Sequence, residues 1–228
     1  MKEIRAVIFD LDGVIVSTDE FHFRAWKQLA DAEGISFGRA DNERLRGVSR
    51  MESLKILLEK ASRSYSEAEK EEMAARKNAI YRDLLKDLSP ADILPGVLPV
   101  LRNLREHRVK IAIGSSSKNA GPILNAIGLA GYFDAVVDGT HIVRSKPDPE
   151  VFALAGERLG IPPEQCLVVE DAEAGVDAGL AAGMAVLAVG SAISHPEATM
   201  KAEDLSRITI DAMLHRKIEC QQALSGQA

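Results

Sequence analysis

The run Ile4-Arg5-Ala6-Val7-Ile8-Phe9-Asp10-Leu11-Asp12-Gly13 decides the fold. Ile4 to Ile8, apolar apart from Arg5, reads as a parallel strand buried on both faces. Open α/β sheets bind ligands beyond the carboxyl ends of their strands, and Asp10 and Asp12 stand at such an end. On a regular extended chain the two share parity and would point to one face. Gly13 lets the chain turn sharply after them. Like charges this close are costly unless a cation shares the site or one carboxyl keeps its proton. That cost calls for Mg²⁺, with the pair divided into a nucleophile and a proton shuttle. An ordinary strand-end turn uses the same residue types, so the stretch needs support from elsewhere in the chain.

The composition is that of a soluble globular protein: 228 residues, 46% hydrophobic and 27% charged. This length suits one large domain or two modest ones. A net charge of −6 without a polybasic block argues against nucleic acid or an anionic membrane as partner. The two cysteines, Cys166 and Cys220, fall in an apolar run and a polar tail. No disulfide is expected between them, which suits a reducing compartment. With no signal-peptide pattern and no apolar run of ~18 residues, a cytoplasmic protein is expected. The surface composition suggests a monomer.

Between Thr18 and Pro90 the pattern is helical. Helices are expected from Thr18 to Gly34, around Asn42 to Leu45, from Met51 to Lys60, and from Ser66 to Leu88, with a turn over Gly47 to Arg50. Ser66 and Glu69 have capping-box spacing. From Val97 the pattern alternates. Helices are expected at Val97–Glu106, up to Ile127, at Glu150–Leu159 and at Ala174–Ala182. Strands are expected at Val109–Ile113, Ala135–Val137, Cys166–Val169 and Ala185–Val189. This alternation predicts an α/β fold, a doubly wound parallel sheet with an inserted α-helical cap. The division is a discontinuous core, 1–16 and 92–228, and a cap, 17–91. The tail after Arg216 is polar and expected to fray.

Three further sites fall at strand ends. Ser115 opens Gly114-Ser115-Ser116-Ser117-Lys118-Asn119, a turn whose N–H groups and hydroxyls suit a phosphate, or equally a plain helix cap. Lys146 precedes Pro147-Asp148-Pro149, and Glu170-Asp171 follows an apolar run, where it could simply cap the next helix. Separately each has an ordinary structural explanation. Together, an acid pair, a hydroxyl, a lysine and a second acid pair are what phosphoryl transfer needs: a hard cation, donors for phosphoryl oxygens and an in-line nucleophile.

These motifs, Asp10-Leu11-Asp12-Gly13, Ser115, Lys146 and Glu170-Asp171, resemble those of the haloacid dehalogenase superfamily. The likeness runs over nearly the full length. The stretches His22-Phe23-Arg24-Ala25-Trp26, Gly47-Val48-Ser49-Arg50, Arg76-Lys77-Asn78 and Ser117-Lys118-Asn119 resemble most closely its β-phosphoglucomutase branch. The resemblance implies Asp10 as nucleophile, Asp12 as general acid/base, and Ser115 and Lys146 as partners of the transferring phosphoryl group. It implies Mg²⁺ on Asp10, the Asp12 carbonyl and Asp171, with Glu170 in support. Arg50, helped by Lys118 and Asn119, would hold a second, remote phosphate. Lys77 and Trp26 would line the cap side of a sugar site, and His22 would couple substrate binding to cap closure and to the positioning of Asp12. Gly47, Val48, Ser49, Ser116 and Ser117 are implied as further substrate-binding residues. The implied reaction interconverts β-D-glucose 1-phosphate and glucose 6-phosphate, with glucose 1,6-bisphosphate as activator and intermediate. A phosphatase on a small sugar or polyol phosphate, or a silent sugar-phosphate binding module, shares most of these residues. Ser17, ahead of Thr18, departs from the acidic residue of the family pattern.

Overall fold

The computed structural model describes residues 3–45 and 48–215. Strand β1 (Ala6–Phe9) is followed by four helices with no strand between them: α1 (Asp19–Ala32), α2 (Arg39–Glu43), α3 (Arg50–Leu58) and α4 (Glu67–Leu84). Then come α5 (Val97–Glu106), β2 (Lys110–Gly114), α6 (Ala120–Ala126), β3 (Ala135–Val137) and α7 (Glu150–Leu159). The series closes with β4 (Cys166–Glu170), α8 (Glu173–Ala181), β5 (Ala185–Ala188), β6 (Met200–Lys201) and α9 (Ile210–His215).

The strands form one parallel sheet in the order β3-β2-β1-β4-β5-β6. The chain runs outward from β1 through β2 to β3, then returns to the other side of β1 as β4. Strand order reverses at β1, and a crevice opens beyond the carboxyl ends at such a reversal. The apolar run of β1 is needed on both faces. Val7 and Phe9 pack with Val97, Leu101 and Ile123 of α5 and α6, whereas Ala6 and Ile8 pack with Phe152 and Val176 of α7 and α8. A separate apolar cluster, with Trp26, Leu29, Leu54, Leu57 and Met73, holds α1, α3 and α4 together. The helical insert therefore has its own core.

Helix α4 begins where its capping residues require. The Ser66 side chain accepts from the Glu69 N–H at 3.3 Å, and the Glu69 carboxylate accepts from the Ser66 N–H at 2.8 Å.

Three expectations need correction. Helix α2 starts earlier than Asn42, because Gly38 is extended and its N–H donates to the Asp41 side chain at 2.9 Å. Arg50 belongs to a helix, not a turn, since Ser49 caps α3 by accepting from the Glu52 N–H. Asp12 is not on the strand, which ends at Phe9. Instead, Gly13 (φ +94°) donates its N–H to the Val16 carbonyl at 2.8 Å, and Asp12 bridges to Val16 in a tight reversal. Asp12 owes its direction to that reversal and not to strand parity. Strand β6 and helix α9 were not expected. Cys166 is a buried free thiol, and Cys220 and the tail after Arg216 lie outside the described residues.

Candidate active site

The end of β1 carries Asp10, which is 6% exposed and held by its N–H donating to the Val169 carbonyl of β4 at 3.0 Å. Beyond β2, two serine turns lead into α6: Ser115 Oγ accepts from the Ser117 N–H at 3.1 Å, and Ser117 Oγ from the Asn119 N–H at 3.2 Å. The loop after β3 delivers Lys146, followed by a cis peptide to Pro147. Its Nζ lies 2.5 Å from Asp10 Oδ1 and also bonds to Glu170 Oε1. At the end of β4, Glu170 accepts from the N–H groups of Asp171 and Ala172 at 2.8 and 3.0 Å. These bonds hold the turn before α8, whose first residues receive no side-chain cap, so Glu170 does not cap that helix as the sequence allowed.

Two glycines make room for this second acid pair. A Cβ on Gly13 would stand 2.2 Å from Asp171 Oδ2, and one on Gly175 would stand 1.9 Å from Glu170 Oε1. Ser191 Oγ donates to the Asp171 carbonyl at 2.5 Å, a link with no signal in the sequence.

Charge in the cluster is unbalanced. Burial drives the Asp10 carboxyl well above the usual carboxylate range, against the pull of Lys146, and the nearby Glu170, Asp12 and Asp171 push the same way. Burial alone would lower Lys146, but Asp10 and Glu170 outweigh it and keep the ammonium protonated. Asp10, Glu170 and Asp171 each offer a carboxylate oxygen, all within 4.8 Å of one another, and all three residues are buried. One lysine against that many carboxylates leaves a deficit of positive charge. Hard oxygen donors packed in this way fit a divalent cation such as Mg²⁺.

The Asp12 carboxylate stands outside that trio and accepts a hydrogen bond from Thr18 Oγ1. Burial raises its pKa to about 6, although the Thr18 bond works against the shift.

A cavity of about 520 Å³ lies over these residues and extends to the helical insert. Asp10, Asp12, Ser115, Lys146, Glu170 and Asp171 line it on the sheet side, with Ser116, Ser117, Lys118 and Asn119. From the insert come His22 and Trp26 of α1, Val48 and Ser49 before α3, Arg50 of α3 and Lys77 of α4. Every site residue read from the sequence is therefore in one cavity, except Gly47, which lies outside the described residues. Lys77 is 2% exposed; its Nζ lies 2.9 Å from His22 Nδ1 and 4.8 and 4.6 Å from the ring centres of Trp26 and Tyr81. Trp26 sits in the insert's core and also lines the cavity.

Several cavity residues were missed. Asn42, Ser53 and Asn78 line it, and Asn119 Nδ2 donates to Asn78 Oδ1 at 3.0 Å, joining the α6 turn to α4. Asn78 sits beside Lys77 in sequence, so α4 supplies one residue to the insert's interior and the next to the core. Helical periodicity carries no signal for such a bond.

A family model for haloacid dehalogenase-like hydrolases matches residues 4–183, a span containing all four motifs. The chain belongs to that family. Among its relatives, the β-phosphoglucomutase of Bacillus subtilis (strain 168) is 42% identical over 218 residues, covering 95% of this chain and 96% of that protein. The phosphorylated carbohydrates phosphatase of Thermotoga maritima is 34% identical over 184 residues, covering 79% and 82%. The crystal structure of a β-phosphoglucomutase from Clostridium difficile matches the fold with a TM-score of 0.88 at 38% identity, covering 93% of this chain and 96% of that one. The family thus includes both mutases and phosphatases among proteins similar to this chain. No helix among the described residues is long and apolar enough to cross a membrane.

Proposed function

We propose that this protein is a β-phosphoglucomutase, interconverting β-D-glucose 1-phosphate and D-glucose 6-phosphate. One observation carries the reading. The cavity that meets the buried Asp10–Lys146–Glu170 cluster is also lined by Arg50 and Lys118, on segments away from that cluster. A bisphosphate needs cationic partners at two places, and an arginine fork suits a phosphate held without reaction. The extent of the likeness to the Bacillus subtilis mutase supports the same choice.

In this reading Asp10 carries the phosphoryl group between half-reactions. The substrate's free 6-hydroxyl attacks that phosphorus while Asp12 takes its proton, and the bond to the Asp10 oxygen breaks. The resulting β-glucose 1,6-bisphosphate turns over in the cavity. Its 1-phosphoryl group then passes to Asp10, and Asp12 returns the proton to the departing sugar oxygen. Lys146 and Ser115 would bind the equatorial oxygens. Asp10, the Asp12 main-chain carbonyl and Asp171 would hold Mg²⁺, with Glu170 in support. When bound, this ion supplies positive charge to the phosphoryl oxygens. Glucose 1,6-bisphosphate would prime Asp10. The cap, residues 17–91, would exclude the water that otherwise hydrolyses the aspartyl phosphate. We take the enzyme to act as a cytoplasmic monomer on small sugar phosphates.

The likeness to the Thermotoga maritima phosphatase makes hydrolysis the second reading. A coupled assay separates them: β-glucose 1-phosphate with Mg²⁺ and a trace of glucose 1,6-bisphosphate, an α-anomer control, and inorganic phosphate measured in parallel. Fast formation of glucose 6-phosphate from the β anomer alone, with little phosphate released, is the expected result. Phosphate release without isomerisation would overturn the mutase reading in favour of a phosphatase.

A further inference from the structure

An asparagine at the N-cap of a helix ordinarily turns its side chain back to accept from the second or third N–H of that helix. Asn119, the N-cap of α6, makes no such bond. Pro122, at the third helical position, has no N–H to offer, which weakens the local alternative. The amide instead reaches out of the sheet domain, and its Nδ2 donates to Asn78 Oδ1 of α4 at 3.0 Å. On the sheet side this bond is well anchored. The Asn119 N–H donates to Ser117 Oγ at 3.2 Å, and the Gly139 N–H, from the loop after β3, donates to the Ser117 carbonyl at 3.0 Å.

On the insert side, Asn78 stands in α4 between Ala74, which packs in the insert's own core, and Tyr81, which packs with the sheet domain. Apolar packing thus joins α4 to the sheet domain at Tyr81, whereas at Asn78 the join is a hydrogen bond beside the cavity. Such a bond exchanges for bonds to water at little net cost. We propose that Asn78 is a positioning residue that latches the helical insert to the sheet domain through Asn119, and so sets how much of the phosphoryl group on Asp10 passes to sugar rather than to water. The proposal rests on the phosphoryl-transfer reading above and deepens it. With the latch made, the insert covers Asp10. With it broken, water reaches the phosphorus: its oxygen forms the new bond, the bond to the Asp10 oxygen breaks, the water's proton passes to Asp12, and inorganic phosphate leaves.

Trp26, the one tryptophan of the chain, lines this cavity and is 2% exposed, so its quenching by acrylamide reports how far the insert lifts. Quenching constants are compared for the wild type, Asn78→Ala, Asn119→Ala and the double variant; alanine keeps α4 helical. One neutral hydrogen bond shifts an equilibrium about 2–10-fold, and each single replacement should raise quenching by about that factor. The double variant should go no further, because the two residues act through one bond. With β-glucose 1-phosphate and Mg²⁺, Asn78→Ala should release about 2–10 times more inorganic phosphate per glucose 6-phosphate formed. Wild-type quenching in Asn78→Ala, additive effects in the double variant, or an unchanged ratio of phosphate to isomer would overturn the proposal. If the wild type forms no isomer, the mutase reading fails, yet quenching needs no substrate and still decides whether the latch exists.

Discussion

The Nζ of Lys77 lies 2.9 Å from Nδ1 of His22, beneath the ring of Tyr81 and beside that of Trp26. The two nitrogens share one hydrogen bond, in which either an ammonium donates to an unprotonated Nδ1 or a neutral amine accepts from Nδ1–H. Burial pushes Lys77 well below its usual range, and the charge of Arg50 adds to the shift. A lysine kept there opposes folding at neutral pH. Lys77→Met is therefore expected to stabilise the protein by about 1–4 kcal/mol, as when buried charges are replaced by apolar groups. The same change should reduce kcat/KM about 10²-fold, the scale of losing one charge-stabilising donor. Urea unfolding and steady-state kinetics check the two halves. A destabilised Lys77→Met protein would contradict the account of the pair.

His22 gives a pH dependence of defined sign. Burial, then Lys77 and Arg50, drive its folded pKa well below 6.5. Between the folded value and 6.5 the unfolded chain holds the extra proton, so stability rises with pH across that window. The contribution is complete above about pH 6.5 and is lost as pH falls. His22 should therefore lower the urea midpoint on acidification below that point, while the raised carboxyls of Asp12 and Asp10 act in the opposite direction. The pH slope of wild type minus that of His22→Gln isolates the histidine and should be positive. An unchanged slope in the variant would place the effect elsewhere.

Lys146 neutralises two buried carboxylates, those of Asp10 and Glu170. Removing its charge in Lys146→Met leaves both uncompensated, at a cost of about 3–5 kcal/mol. Added Mg²⁺ should recover part of the loss by thermal melting, since the remaining carboxylates would gain a cation. Activity should stay at least 10²-fold down even when the fold is restored. A variant as stable as the wild type without Mg²⁺ would contradict the charge balance described for this cluster.

Gly175 leaves room for Glu170, where a Cβ would stand 1.9 Å from the carboxylate. Gly175→Ala is expected to displace Glu170 and weaken Mg²⁺ binding by about 10–100-fold, as disturbed support of a metal site does. Calorimetric titration with Mg²⁺ reads this directly. Affinity equal to that of the wild type would mean that Glu170 has no part in arranging the ligands.

What could be read from the sequence was local. The apolar run into Asp10, the Ser66–Glu69 capping box, and the limits of α5, β3 and α7 depend on adjacent residues or on periodicity, and the structure reproduces them. The strand-end motifs were legible because a parallel sheet gathers its carboxyl ends. What was missed depends on contacts distant in sequence or on elements too short to pattern. Strand β6 is two residues long. The Asp12–Thr18 bond needs the Gly13 reversal, and Asn78 meets Asn119 across 41 positions. Asn42 was invisible because nothing in sequence distinguishes a buried amide from a solvated one.

The central claim is that Asp10 carries the phosphoryl group. The most direct measurement is rapid acid quench of the protein mixed with glucose 1,6-bisphosphate and Mg²⁺, followed by peptide mass spectrometry. The account predicts one phosphoryl group on the peptide containing Asp10, discharged to glucose phosphate when β-glucose 1-phosphate is added, and absent in Asp10→Asn. An unlabelled Asp10 peptide during active turnover, or turnover retained by Asp10→Asn, would contradict it.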